Sequence, residues 1–290
     1  MKILNIGSLN LDFVYTVDHI VIPGETEAAV SRNIFLGGKG LNQSCALAKA
    51  GAQVYHAGLI GPDGHPFLEA CEEHGIHSQF IQTVDVPSGH TIIQIDKNGQ
   101  NSILLFGGAN QQLTSRYIDY VLSHFSAGDI LLLQNEVNLL PYIVERAFQK
   151  NLLIALNPSP FNESLDAVDM NKIGIFILNE IEGCQLTGQS QPDAIISRLR
   201  AMFPQARVLL TLGSDGAVYA DENCQIFQNA FNVNVVDTTA AGDTFTGYFL
   251  AGLAQGLPIE ETLRISAKAA SIAVTRPGAV TSIPYRWEIT

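Results

Sequence analysis

Short runs rich in Ile, Leu and Val recur along this chain, and stretches with helical spacing separate them. Ile3 to Ile6, Gln53 to Leu59, Ile130 to Leu133, Leu152 to Leu156, Ile175 to Leu178 and Val208 to Leu212 read as buried strands. Asn42 to Ala50, Pro66 to His74, Leu140 to Lys150, Ala194 to Phe203 and Glu260 to Val274 read as helices. Strands that are apolar on both sides must be covered on both sides. The alternation therefore predicts an α/β fold of three layers, α/β/α, around a mostly parallel central sheet. Such a sheet binds ligands beyond the carboxyl ends of its strands. Two segments break the pattern. About 11–35 and 91–106 alternate polar and apolar residues, with turn signals at Pro23-Gly24 and Asp96-Lys97-Asn98-Gly99-Gln100. They predict a small separate β-layer, a lid or a subunit contact, because so small an exposed layer needs covering. With 290 residues, the chain is expected to form one domain over 1–290 with that layer attached.

Charge and cysteine usage narrow the partners. A formal net charge of −12 argues against nucleic acid or an anionic bilayer. No apolar run reaches the roughly 18 residues of a membrane span, and Met1 to Gly7 reads as a first strand, not a signal peptide. Cys45, Cys71, Cys184 and Cys224 are far apart and have no zinc-ligand spacing, so they are expected to be free thiols in a reducing cytoplasm. On so acidic a protein a polyphosphate must be held by local devices: a helix N-terminus, a metal ion or a few placed cations.

Asp237-Thr238-Thr239-Ala240-Ala241-Gly242-Asp243 supplies such a device. Phe231 to Val236 before it reads as a strand, and Thr244 to Gln255 after it as a small-residue helix. Ala240, Ala241 and Gly242 leave backbone N–H groups unobstructed at the helix N-terminus, where the dipole favours an anion. Asp243 would be repelled by phosphate there, so a separate task is expected of it. General base toward a hydroxyl that attacks phosphorus fits; a plain strand-to-helix turn with an acid near its cap is the alternative.

Other polar clusters follow predicted strands. Gly37-Gly38-Lys39-Gly40-Leu41-Asn42 opens a helix but has neither phosphate-loop nor dinucleotide spacing. It suits either a polyhydroxylated ligand or a capped glycine turn. Asp12, after Asn10, and Glu136 can each accept from sugar-like hydroxyls or stand as solvated or helix-terminal acids. Asn179 and Glu182 can hold hydrated Mg²⁺ against phosphate, form a capping box, or do both. Thr211-Leu212-Gly213-Ser214-Asp215-Gly216 suits close approach to phosphate or adenine, or a β-turn.

In this order, from Met1 to about Pro284, these pieces resemble the ribokinase-like (PfkB) carbohydrate kinase family. Gly37 to Asn42 is similar to its N-terminal signature and Asp237 to Asp243 to its C-terminal one. The resemblance implies an ATP-dependent sugar kinase acting on ribose or a close pentose, with a nucleoside or other sugar as the alternative acceptor and a non-catalytic sensor as the alternative class. Asp243 would be the base and Ala240 to Gly242 the anion hole. Asn10, Asp12, Gly38, Lys39, Gly40, Asn42 and Glu136 would hold the sugar. Asn179, Thr211, Gly213, Ser214, Gly216, Gly242 and Lys268 would lie along MgATP, with Glu182 near Mg²⁺ through water. Asp237, Thr239, Ala273, Arg276, Gly278 and Ser282 would hold a monovalent cation, K⁺. The small β-layer would be a lid that pairs two subunits into a homodimer. Phe13 and Tyr15 would pack within that lid or stack on a nucleobase.

Overall fold

The computed structural model describes residues 1–289. In chain order the elements are β1 (Ile3–Ile6), β2 (Asn10–Thr16), β3 (Ser31–Gly37), α1 (Lys39–Lys49), β4 (Val54–Ile60), α2 (His65–His74), β5 (His77–Thr83), β6 (Gly89–Ile95), β7 (Asn101–Phe106), α3 (Ser115–Leu122) and β8 (Ile130–Gln134). Then come α4 (Leu140–Gln149), β9 (Leu153–Asn157), β10 (Ile175–Asn179), α5 (Glu180–Thr187), α6 (Pro192–Met202), β11 (Arg207–Thr211), β12 (Ala217–Ala220), β13 (Gln225–Gln228), α7 (Ala241–Ala254) and α8 (Ile259–Ala273).

Nine strands form one sheet in the order β13-β12-β11-β10-β9-β8-β1-β4-β5. Every pairing from β11 across to β5 is parallel, and β12 and β13 add an antiparallel edge. The chain builds outward from β1 to β4 and β5, then returns and builds the other way from β8. That reversal opens a crevice between the carboxyl ends of β1 and β8.

Strand alternation sorts the side chains between two apolar clusters. Leu4, Ile6, Leu131, Leu133, Leu156 and Leu178 pack with α3, α4 and α6. Ile3, Ile130, Leu132, Ala155 and Ile177 face the other way, against α1, α2, α7 and α8. On this second face the pattern turns polar: Asn5, His56, Gln134 and Asn157 are all buried there. Gly247 lets α7 approach α1, since a Cβ at that position would stand 2.4 Å from the Ala46 methyl.

The two alternating segments form the expected second sheet, in the order β3-β2-β6-β7. The β6–β7 hairpin turns where Asp96 Oδ1 accepts from the N–H groups of Asn98 and Gln100, with Gly99 at φ 79°. Outside it, one expectation fails. Phe231 to Val236 is not a strand. It has no neighbouring strand to bond, and its alternation has another cause: Phe231, Val233 and Val235 line a cavity. Strands β5, β12 and β13 and helix α3 were not anticipated: the edge strands β5 and β13 have exposed faces that blur the apolar signal, and β12 is only four residues long.

His56 bonds Ser44 Oγ through Nδ1 at 2.8 Å, and burial holds its pKa down to about 4. The unfolded imidazole binds a proton near pH 6.5, so between there and pH 4 the unfolded state carries more protons and stability falls as pH falls. A shift of that size corresponds to roughly 3 kcal/mol. Urea titrations across this window should show that loss in the parent and a flatter profile in His56→Gln. An equal slope in both would assign the loss to other groups.

Candidate active site

Asp243 stands in the first turn of α7, which begins at Ala241, three residues earlier than the sequence pattern indicated. Its carboxylate is buried and both oxygens accept carboxamide protons from α1. Asn42 Nδ2 donates to Oδ2 at 3.0 Å and Gln43 Nε2 to Oδ1 at 2.8 Å. Asn42 is therefore inside α1 and caps nothing; the cap is Gly38, at φ 89°. Asn42 Oδ1 is buried without a hydrogen-bond partner among the described residues, leaving an acceptor free for a ligand.

At the N-terminus of α7, Ala240 adopts the left-handed conformation, φ 59°, uncommon for a residue with a Cβ. The Ala241 N–H is turned back to Thr238 O at 3.2 Å, so it is not free as expected. The N–H groups of Ala240 and Gly242 have no protein partner among the described residues. A Cβ at Gly242 would meet no atom within 4 Å, because the backbone borders open space.

That space is two adjoining cavities. The larger, about 460 Å³, is walled by Phe231, Val233, Val235, Phe245, Ala267 and Val274, with Gly213, Ser214 and Gly216 at one side. The smaller, about 230 Å³, is polar and contains Lys39, Asn179, Glu182 and Asp243. Thr211, Thr238, Ala241 and Gly242 border both. An apolar slot thus opens, past a helix N-terminus, onto a carboxylate and an ammonium. Burial lowers the proton affinity of Lys39, but the charges of Asp243, Glu136 and Glu182 outweigh it and hold the ammonium above its usual pKa. Lys268 does not line the slot: its Nζ lies 5.1 Å from the centre of the Phe231 ring.

Glu136 follows β8 and accepts from Ser8 Oγ and, at 3.0 Å, from Lys39 N. Asp12, on β2, accepts from Thr91 Oγ1 at 2.5 Å, and Asn10 Oδ1 accepts from Asn110 Nδ2 at 2.8 Å. Burial raises the pKa of both Asp12 and Glu136 against these hydrogen bonds. Gly40, expected to touch ligand, also packs tightly on backbone: a Cβ there would stand 2.4 Å from Ser8 N. Phe13 points away from Asp12, since neighbours on a strand face opposite sides; it packs at 5.9 Å on both His90 and Arg32.

Asn179 and Glu182 form a capping box, Glu182 N donating to Asn179 Oδ1 at 2.8 Å and Asn179 N to Glu182 Oε2 at 3.0 Å. Glu182 also borders the polar cavity. No cluster of three or more His, Cys, Asp or Glu that suits a metal exists among the described residues. The donors fit a Mg²⁺ that keeps its waters and binds chiefly to phosphates. Asp237 joins its own loop to the segment after α8: Oδ1 accepts from Thr239 N at 2.9 Å and Oδ2 from Gly278 N at 2.9 Å. These bonds outweigh burial and hold its pKa down. Arg276, Gly278 and Ser282 lie on that segment and Ala273 ends α8 just before it, and the Arg276 guanidinium pairs with Glu288 at 2.6 Å.

The description "pfkB family carbohydrate kinase" matches residues 1–286. The chain belongs to that family. It is an ATP-dependent carbohydrate kinase. It is 34% identical to a ribokinase of Haemophilus influenzae, over 98% of this chain and 95% of that one. A ribokinase of Thermotoga maritima superposes with a TM-score of 0.89 at 35% identity, covering 100% of this chain and 98% of that one. A structure of Arabidopsis thaliana ribokinase complexed with ribose and ATP superposes with a TM-score of 0.86 at 30% identity, covering 99% and 97%.

Three residues of this kinase site were given no role from the sequence: Gln43, Gln134 and Asn157. The available signal was a carboxamide at the end of an apolar strand, as at Gln134 after Leu133 and Asn157 after Leu156.

The Gly40 contact is testable. Gly40→Ala should cost ~1–3 kcal/mol as overpacking and lower turnover by displacing Asn42 and Gln43. Denaturant melts and initial rates check this; unchanged stability would mean that α1 can give way.

Proposed function

We propose that this kinase transfers the γ-phosphoryl group of MgATP to the primary hydroxyl of ribose or a close pentose. One observation carries the reading: a buried carboxylate stands in the first turn of a helix whose N-terminus divides an apolar slot from a polar cavity. Adenine fits the slot, and the phosphates reach the helix N-terminus. Asn10, Asp12, Gly38, Asn42 and Glu136 bind the sugar, and Asp243 accepts the hydroxyl proton as the oxygen attacks phosphorus. The N–H groups of Ala240 and Gly242, with the helix dipole and Lys39, stabilise charge on the transferring group. This division of labour suits phosphoryl transfer, which depends on alignment and charge more than on covalent help.

Glu182 and Asn179 orient the waters of Mg²⁺, which supplies charge neutralisation when bound. Asp237, Thr239, Ala273, Arg276, Gly278 and Ser282 are proposed to hold K⁺ and so to steady the turn before α7. The second sheet acts as a lid over the sugar, excluding water that would compete as acceptor. It also exposes Ile103, Leu104, Leu105 and Phe106, each at least 49% accessible, and we assign that surface to a homodimer contact. The unpaired cysteines support a reducing, cytoplasmic setting. A nucleoside acceptor has less support, because Phe13 packs against Arg32 and His90 on the face away from Asp12.

ADP release with MgATP across ribose, deoxyribose, fructose, adenosine and uridine tests the substrate, and ribose should lead. Asp243→Asn should lose at least ~10²-fold in kcat while still binding ATP in calorimetry. Comparable turnover in that variant would remove Asp243 as base. Sedimentation should give a dimer that Leu104→Asp dissociates; a parent monomer would refute the lid contact.

A further inference from the structure

Gln43 is fully buried, and its carboxamide touches three other polar side chains. Nε2 donates to Asp243 Oδ1 at 2.8 Å and to Asn157 Oδ1 at 3.2 Å, and Oε1 accepts from Gln134 Nε2 at 2.6 Å. Behind it, Gln134 Nε2 also donates to Asn5 Oδ1 at 3.1 Å, and Asn5 Nδ2 donates to Gly40 O at 2.7 Å and Ser44 Oγ at 2.8 Å. Ahead of it, Asn157 Nδ2 donates to Glu182 Oε2 at 3.2 Å and to Ile177 O at 3.0 Å. The two carboxylates of the polar cavity, Asp243 and Glu182, are thus joined by two carboxamides, and the first is clamped from behind by a third.

The chemistry of these groups sets a direction. An amide nitrogen only donates, so the oxygen it faces must accept. Gln43 therefore holds Asp243 Oδ1 while Asn42 holds Oδ2, and the two donors together block rotation of the carboxylate. Its own rotation is blocked in turn, because Oε1 is committed to Gln134.

We propose that Gln43 is a positioning residue for phosphoryl transfer: it fixes the plane of the Asp243 carboxylate and, through Asn157, keeps that carboxylate in register with Glu182. This rests on Asp243 being the base. The sugar leaves Gln43 untouched, so its loss acts on the chemical step and not on binding.

The test uses the full chain with MgATP and the best acceptor. Gln43→Leu should lower kcat ~10- to 100-fold, the effect of misplacing a reacting group by about 1 Å, with both KM values within ~3-fold of the parent. Gln43→Glu keeps the volume and decides the matter if the leucine variant does not fold. Its carboxyl beside Asp243 makes a pair that shares a proton, so the acid limb of the kcat–pH profile should move up by about one unit or more. Loosened packing would not move that limb. A kcat within ~3-fold of the parent in Gln43→Leu, a loss confined to KM, or an unmoved acid limb in Gln43→Glu would each overturn the proposal. Asp243→Asn separates the two levels. An active Asp243→Asn removes the base assignment and this inference together; an inactive one beside fully active Gln43 variants removes only the inference.

Discussion

Two hydrogen bonds from α1 to Asp243 join residues 201 and 200 positions apart in the chain, and much of the site's geometry follows from them. A buried carboxylate is unfavourable unless its oxygens are bonded, and bonds to an ionised acceptor are among the stronger ones. Satisfying Asp243 from α1 requires that α1 and α7 lie close. Gly247 allows this at one end of the contact, where Ala46 fills the space a side chain would take. Gly40 does the same where α1 meets the turn after β1. Small residues at these two points are what permit a polar bridge to form inside a tightly packed layer.

The sheet delivers the partners. Strands β8, β9, β10 and β11 are each apolar through the middle and carry a polar side chain at the carboxyl end, on the face that α1 and α7 cover. Gln134 and Asn157 leave the sheet together because β8 and β9 pair in register, Gln134 opposite Asn157. Asn179 and Thr211 leave together for the same reason on β10 and β11. A row of strand ends thus becomes a row of donors and acceptors, running from the crevice beside β1 toward the apolar slot. The proposed order of ligands, sugar then phosphates then base, follows that row.

Much of this was legible in the chain. Six of the seven parallel strands, all but β5, were read to within a residue because their burial on both faces makes them rich in Ile, Leu and Val. The β6–β7 hairpin was read because Asp96 to Gln100 carries its own turn chemistry. Asp243, Glu182 and Asn42 were singled out because acids and amides near glycines beside an apolar run are conspicuous. Phe231 to Val236 misled because lining a cavity and lining a core impose the same alternation. Lys268 misled because helical position alone does not say which neighbour a long side chain covers, and Phe231 takes it. Gly40 hid its packing role because a glycine that admits a ligand and one that admits backbone are the same letter.

The sequence by itself determined the layered α/β class, the small second sheet and the residues that carry charge near the strand ends. These depend on local periodicity and turn chemistry, which are written within a few consecutive residues. Only the tertiary structure decided which amide meets which carboxylate, that Gln43 binds Asp243 while Asn157 binds Glu182, and that Ala241 turns its N–H inward while Gly242 leaves its own open. Those outcomes depend on how far two helices approach and on which strands pair. Both are set by packing between segments that can lie as many as 200 residues apart, as Gln43 and Asp243 do, and no local pattern records them.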